Sequence, residues 1–130
     1  MGKRFLIDSN IIVHFLANSY DEKVLDFLEK LLIDGFSISF ITQIELLAHK
    51  DATATDMDLR QQIINLANVI HIDNDIIDKT IDIRRQKACK IPDAIIAATS
   101  ISQNYTLISE NDKDFRHIQN LQYLNPRQLP

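Results

Sequence analysis

Short apolar runs alternate with longer amphipathic stretches along this chain, and the first run comes almost at once. Phe5-Leu6-Ile7 is long enough for a buried strand and too short for a buried helix. It stops at Asp8, two small polar residues follow, and the apolar-rich residues 11–17 read as a helix. Residues 21–34 carry Val24, Leu25, Phe27, Leu28, Leu31 and Leu32 at helical spacing, with Gly35 placed to end the helix. Alternation around Ser37 and Ser39 marks a second strand over 36–41. Thr42 opens a short helix over 43–49, and the polar, alanine-rich residues 50–56 read as a flexible connection. Residues 57–68 are helical again, and Val69-Ile70-His71-Ile72 is a third strand.

Asp73 and Asn74 cap a longer helix over 75–90, which Ile91-Pro92 breaks. Pro92 suits the first position of the next helix, 93–103, which is apolar nearly all round and rich in small residues, a pattern of burial. Thr106-Leu107-Ile108-Ser109 is a fourth strand, residues 110–118 are polar with a helical turn around Phe115, and 121–124 is a candidate edge strand before a tail, 125–130. Strands alternating with helices predict an α/β fold. The expected form is a three-layer α/β/α sandwich around a central, mainly parallel sheet of four to five strands. No repeat or linker divides the chain, so one domain over residues 1–130 is expected. A buried strand that begins so early belongs in the middle of the sheet, which puts Asp8 at the carboxyl edge where ligands of such sheets bind.

Composition narrows the class without naming a function. The chain has 18 acidic and 14 basic residues and a net charge of −4, which argues against non-specific duplex binding through a broad basic face. A nucleic-acid enzyme remains open, because bound divalent cations change the local field. The single cysteine, Cys89, leaves no internal disulfide and fits a reducing compartment. No apolar run approaches the roughly 20 residues that span a bilayer, and Asp8 interrupts the N-terminal apolar stretch before it resembles a signal peptide. A cytoplasmic location, with no membrane partner, is expected.

Four acidic positions share one address, just past a strand or at the start of a helix. Asp8 ends the first strand, Glu45 lies in the first turn after the second, Asp93 opens the apolar helix, and Asp112 and Asp114 follow the fourth strand. Each has an ordinary helix-start reading: Asp8 as N-cap, Thr42-x-x-Glu45 as a capping box, Asp93 as complement to the helix dipole. Strand ends of a parallel sheet share one edge, however, and carboxylates gathered there repel unless a cation sits among them. An all-oxygen set suits Mg²⁺ or Mn²⁺, and no His or Cys spacing suggests zinc. Such ions activate water and neutralise charge developing on a phosphoryl group, so the residues point to divalent-metal phosphoester hydrolysis.

Four stretches together resemble the acidic motifs of PIN-domain ribonucleases. They are Phe5-Leu6-Ile7-Asp8-Ser9-Asn10, Thr42-Gln43-Ile44-Glu45-Leu46, Ile91-Pro92-Asp93-Ala94-Ile95-Ile96-Ala97-Ala98 and Leu107-Ile108-Ser109-Glu110-Asn111-Asp112-Lys113-Asp114-Phe115. The size is similar to the VapC-type toxins of type II toxin–antitoxin systems. The resemblance implies Asp8, Glu45, Asp93 and Asp114 as catalytic acids, with Asp8, Asp93 and Asp114 binding Mg²⁺ or Mn²⁺ and Asp112 as the alternative fourth acid. It also implies Asn10, Thr42, Ser109 and Asn111 as polar supports, RNA as substrate, a cognate VapB-like antitoxin and a homodimer. A non-catalytic PIN-like module that binds RNA or metal is the alternative reading. The densest basic run supplies Arg84, Arg85, Lys87 and Lys90 as candidate RNA contacts, with Arg116 a further one; the ordinary reading is a solvated helix end. His14 lies within two turns of Asp8, but a surface or packing histidine is the simpler reading.

Overall fold

The computed structural model describes residues 4–129, so the first three residues and Pro130, the end of the expected tail, lie outside it. Its strands are β1 (Phe5–Ile7), β2 (Ser37–Ser39), β3 (Asn68–Ile70), β4 (Thr106–Ile108) and β5 (Gln122–Leu124). Its helices are α1 (Ser9–Leu16), α2 (Glu22–Asp34), α3 (Phe40–Leu47), α4 (Ala54–Leu66), α5 (Asn74–Gln86), α6 (Ile91–Gln103) and α7 (Asp112–Phe115), with a 3-10 turn at Pro126–Gln128. The strands form one sheet in the order β3-β2-β1-β4-β5, and every pairing is parallel. The expected α/β sandwich with a parallel sheet is thus present, with β1 at its centre and residues 121–124 supplying the edge strand.

Side-chain alternation along the central strands feeds two cores. Ile7 of β1 and Ile108 of β4 join Ile11, Leu28, Leu46 and Ile63 on one face, under α1 to α4. Leu6 and Leu107, their neighbours in sequence, point to the other face with Ile76, Ile96, Ala97 and Phe115, under α5 and α6. Residues Ala94 to Ser100 of α6 are all buried, the outcome its apolar, small-residue composition predicts. Burial on both faces explains why the central strands read as unbroken apolar runs.

Three local expectations change. Helix α3 begins at Phe40, directly after β2, and Ser39 rather than Thr42 caps it, accepting from the Ile41 amide at 3.1 Å. The strand is therefore shorter than 36–41, and Thr42-x-x-Glu45 is not a capping box. The connection read as flexible over 50–56 is half helix: Thr53 caps α4 in a capping box with Asp56. Helix α6 starts at Ile91 with Lys90 as its N-cap residue, so Pro92 and Asp93 both stand inside its first turn. Among the described residues no helix is long and apolar enough to cross a membrane.

Candidate active site

The order of the sheet decides which loops meet. Strands β2, β1 and β4 are neighbours, so the segments leaving their carboxyl ends carry Glu45, Asp8 and the 109–114 loop to one edge. Asp8 is 6% exposed and caps α1 through Oδ1, which accepts from the Ser9 amide at 2.9 Å. Its other oxygen accepts from Ser109 Oγ at 2.8 Å and Asn10 Nδ2 at 3.3 Å. The cap reading and the site reading are therefore compatible, one oxygen serving each. Asn10 also donates to Ser109 Oγ at 3.4 Å and its Oδ1 accepts from the Glu110 amide at 3.5 Å, lacing α1 to the loop after β4.

Asp93 stands in the first turn of α6, with Asp114 near enough to raise its pKa. Asn111 Nδ2 donates to Asp114 Oδ2 at 2.7 Å, and the Asn111 amide donates to Ser109 Oγ at 3.1 Å. Ser109 thus links the loop to Asp8. Glu45 lies on the exposed rim, one turn into α3, where Ser9 Oγ donates to its Oε1 at 3.3 Å. Ser9 is a contact the sequence reading missed, though it sits between Asp8 and Asn10 in the motif. Thr42 is fully buried three residues before Glu45, and its hydroxyl has no hydrogen-bond partner among the described residues.

Electrostatics mark these acids as a repelling group. Burial, and less strongly the charge of Glu45, push Asp8 up to about 6 against the bonds from Ser109 and Ser9. Asp93 is also pushed up to about 6, by burial, then by Asp114 and Asp8, with Lys90 opposing. Glu45 is raised by desolvation and by Asp93, with the Ser9 bond opposing. An acidic group in this state gains from any cation that enters. The donors are oxygens alone, and among the described residues no group of three or more His, Cys, Asp or Glu side chains is close enough together to hold a metal ion by itself. They fit a hard ion that keeps most of its water, as Mg²⁺ does when one or two carboxylates hold it.

Asp112 is placed differently. Its carboxylate accepts from Tyr123 Oη at 2.6 Å, Gln128 Nε2 at 2.8 Å and Asn125 Nδ2 at 3.1 Å, and pairs with Arg116 at 3.2 Å. These bonds, the Tyr123 phenol first, hold it down at about 2 although partial desolvation opposes them. Arg116 is thereby engaged, bonding Gln128 as well and lying 5.4 Å from the centre of the Tyr123 ring. Of the other basic candidates, Arg84 and Arg85 are exposed in the last turn of α5, and Lys90 precedes α6 beside Asp93. Lys87 Nζ donates to the Lys113 carbonyl at 3.3 Å. His14 pairs with Glu110 at 2.6 Å.

The fold is similar to several solved structures. One is VapBC2 from Rickettsia felis bound to a DNA fragment from its promoter, with a TM-score of 0.78 and 23% identity over 93% of this chain and 97% of that one. Another is a toxin–antitoxin complex from Klebsiella pneumoniae, with a TM-score of 0.73 and 27% identity over 93% and 96%. DNA-bound VapBC from Salmonella typhimurium has a TM-score of 0.82 and 19% identity over 96% and 99%. No curated protein matches the chain. The family model of the PIN domain matches residues 5–121, nine-tenths of the sequence, and the chain belongs to the PIN domain family.

Proposed function

We propose that this chain is a VapC-type toxin, a divalent-metal-dependent endoribonuclease restrained by a cognate VapB-like antitoxin. The observation that carries the reading is the convergence of Asp8, Glu45, Asp93 and Asp114 at one edge of the sheet, with two of them pushed up to about 6. Asp8, Asp93 and Asp114 would hold Mg²⁺ or Mn²⁺, with Asp114 rather than Asp112 as fourth acid. Asp112 has its lone pairs committed to Tyr123, Asn125, Gln128 and Arg116, whereas Asp114 accepts from Asn111 and lies near enough to Asp93 to raise its pKa. When bound, the ion supplies charge neutralisation at the scissile phosphate and lowers the pKa of water.

The chain's own residues do the rest. Ser109 and Asn10 orient the Asp8 oxygen that faces the loop, and Asn111 does the same for Asp114. Asp93, raised to about 6 by burial and by Asp114 and Asp8, is the carboxylate whose charged form an entering cation would favour. Arg84, Arg85, Lys87 and Lys90, between the end of α5 and the start of α6, offer the positive charge an RNA backbone needs beside an acidic edge. Arg116 belongs instead to the Asp112 group.

Partners follow the same reasoning. Structures of similar fold are toxin–antitoxin complexes by name. The exposed Ile77 and Ile81, one turn apart on α5, suit a second copy of the chain and a homodimer. The decisive experiment incubates the purified chain with RNA and Mn²⁺ or Mg²⁺, alongside Asp93→Asn. Cleavage that needs the ion and is lost in the variant is expected. Binding of RNA or Mn²⁺ without turnover would favour the non-catalytic module.

A further inference from the structure

The family match ends at residue 121, and β5 with the 3-10 turn after it lies beyond that point. These last residues meet the segment after β4 through two of its acids, Glu110 and Asp112. On one side Tyr123, Asn125 and Gln128 donate to Asp112 at 2.6, 3.1 and 2.8 Å, and the Tyr123 hydroxyl also stands 3.0 Å from the Ser109 carbonyl oxygen. On the other, Arg127 Nε donates to Glu110 Oε1, and the guanidinium lies 4.5 Å from the centre of the Tyr20 ring. Tyr20 and His14 complete the hold on Glu110 through Oε2. The main chain adds a bond from the Ser109 amide to the Leu124 carbonyl at 3.2 Å.

Between the two held acids stands Asn111, the residue that donates to Asp114. A four-residue helix such as α7 does not hold its own shape in water, because the cost of the first turn is not recovered over so few residues. Phe115, fully buried, fixes the far end of this turn in the core, and its near end, which carries Asn111, is held from outside the loop. The side doing the holding is itself anchored. Asn125 and Pro126 are buried, and β5 runs in register with β4 from Thr106–Gln122 to Ile108–Leu124.

We propose that the C-terminal segment 122–128 positions the fourth acid: Tyr123, Asn125, Arg127 and Gln128 grip Glu110 and Asp112 and, through Asn111, hold Asp114 against Asp93. The role of Asp114 in this statement rests on the proposed function. The four gripping side chains are positioning residues, since each reaches the site only through another group.

The test compares the full chain with Arg127→Ala/Gln128→Ala and with Arg127→Lys. Both replaced side chains are exposed, so the fold survives their loss. In metal-free protein, exchange of the Asn111, Asp114, Phe115 and Arg116 amides should speed by about tenfold in the double variant, while β1 and the middle of α6 keep wild-type rates. Mn²⁺, followed by the paramagnetic resonance of the free ion, should bind about tenfold more weakly, and kcat on RNA should fall by a similar factor with KM unchanged. Arg127→Lys keeps a cationic donor opposite Glu110 and should recover most of each loss. Unaltered exchange, or exchange raised evenly over the fold, overturns the grip. Faster local exchange with wild-type Mn²⁺ affinity and kcat overturns its link to Asp114. A wild-type chain that neither binds Mn²⁺ nor cleaves RNA refutes the functional reading instead, and the exchange rates still decide whether the grip exists.

Discussion

Two groups of carboxylates lie at the same edge of the sheet and are treated in opposite ways. Glu110 and Asp112 are supplied with donors. Burial works against the charge of Glu110, but Tyr20, His14 and Arg127 together outweigh it and hold its pKa below the ordinary value. Asp112 is held at about 2, chiefly by Tyr123. Asp8, Asp93 and Glu45 are instead desolvated beside one another, and all three are raised. A carboxylate given donors is a structural anion that fastens the chain. One whose donors do not offset its burial, next to others, is held ready for a cation. The proximity of Asp112 to Asp114 in sequence conceals the difference, and their partners in space reveal it.

The largest expected effect comes from breaking the raised group. Asp93→Asn should lower the rate of RNA cleavage by about a thousandfold, since several kcal/mol of charge stabilisation depend on the ion. The same change should leave the melting temperature of the metal-free protein equal or higher, because it removes charge from a repelling set. Asp112→Asn should do the reverse, lowering the melting temperature in a thermal scan while costing less activity than Asp114→Asn. A greater loss of activity in Asp112→Asn would exchange the roles assigned to the two acids.

Ser109→Ala should be intermediate. It removes a bond to Asp8 that is worth about 1 kcal/mol of stability, and it should weaken Mn²⁺ binding by about tenfold. A thermal melt reads the first effect and titration calorimetry with Mn²⁺ the second. Arg84→Ala/Arg85→Ala should be the mildest change, raising KM for RNA a few-fold and flattening its salt dependence while kcat stays at the wild-type value.

The contrast also has a pH signature. Asp8 and Asp93 rise from an ordinary 3.8 to about 6 in the fold, so the folded state binds more protons between those values. The cost of burying their charges, and their repulsion with it, is absent below about pH 4 and grows as pH rises through about 6. Asp112 and Glu110 have the opposite sign, contributing stability above their ordinary values that is lost as pH falls. Metal-free protein should therefore melt higher at pH 5 than at pH 7, and lower again below pH 4. A melting temperature flat from pH 5 to 7 would remove the basis for a repelling group.

How much of this was legible from the residues depends on whether the cue was local. Asp8, Asp93 and Asp114 each follow a strand or open a helix, and the parallel sheet carries them to one edge as expected. Gly35 ends α2, and its φ of 110° explains why a glycine stands there. Thr42 misled because Ser39 lies three residues earlier and caps the helix first, so that the strand passes into α3 with no linker. The stretch 50–56 misled because its composition hid the Thr53 and Asp56 capping pair. The tail was the larger omission. Tyr123, Asn125, Gln128 and Arg127 bond acids 11, 13, 16 and 17 residues upstream, and only the pairing of β5 with β4 brings them there. No periodicity or spacing in the sequence encodes such a meeting.

One measurement goes straight to the raised acids: the melting temperature of wild type and of Asp8→Asn at pH 7, each with and without saturating Mn²⁺. The asparagine retains an oxygen to cap α1, so the fold is preserved while the charge is lost. Wild type should gain several degrees with the ion, as binding at about a hundred times the dissociation constant contributes about 2.7 kcal/mol. Asp8→Asn should gain little or nothing. Equal shifts in the two proteins, or none in wild type, would contradict a divalent-ion site built on Asp8.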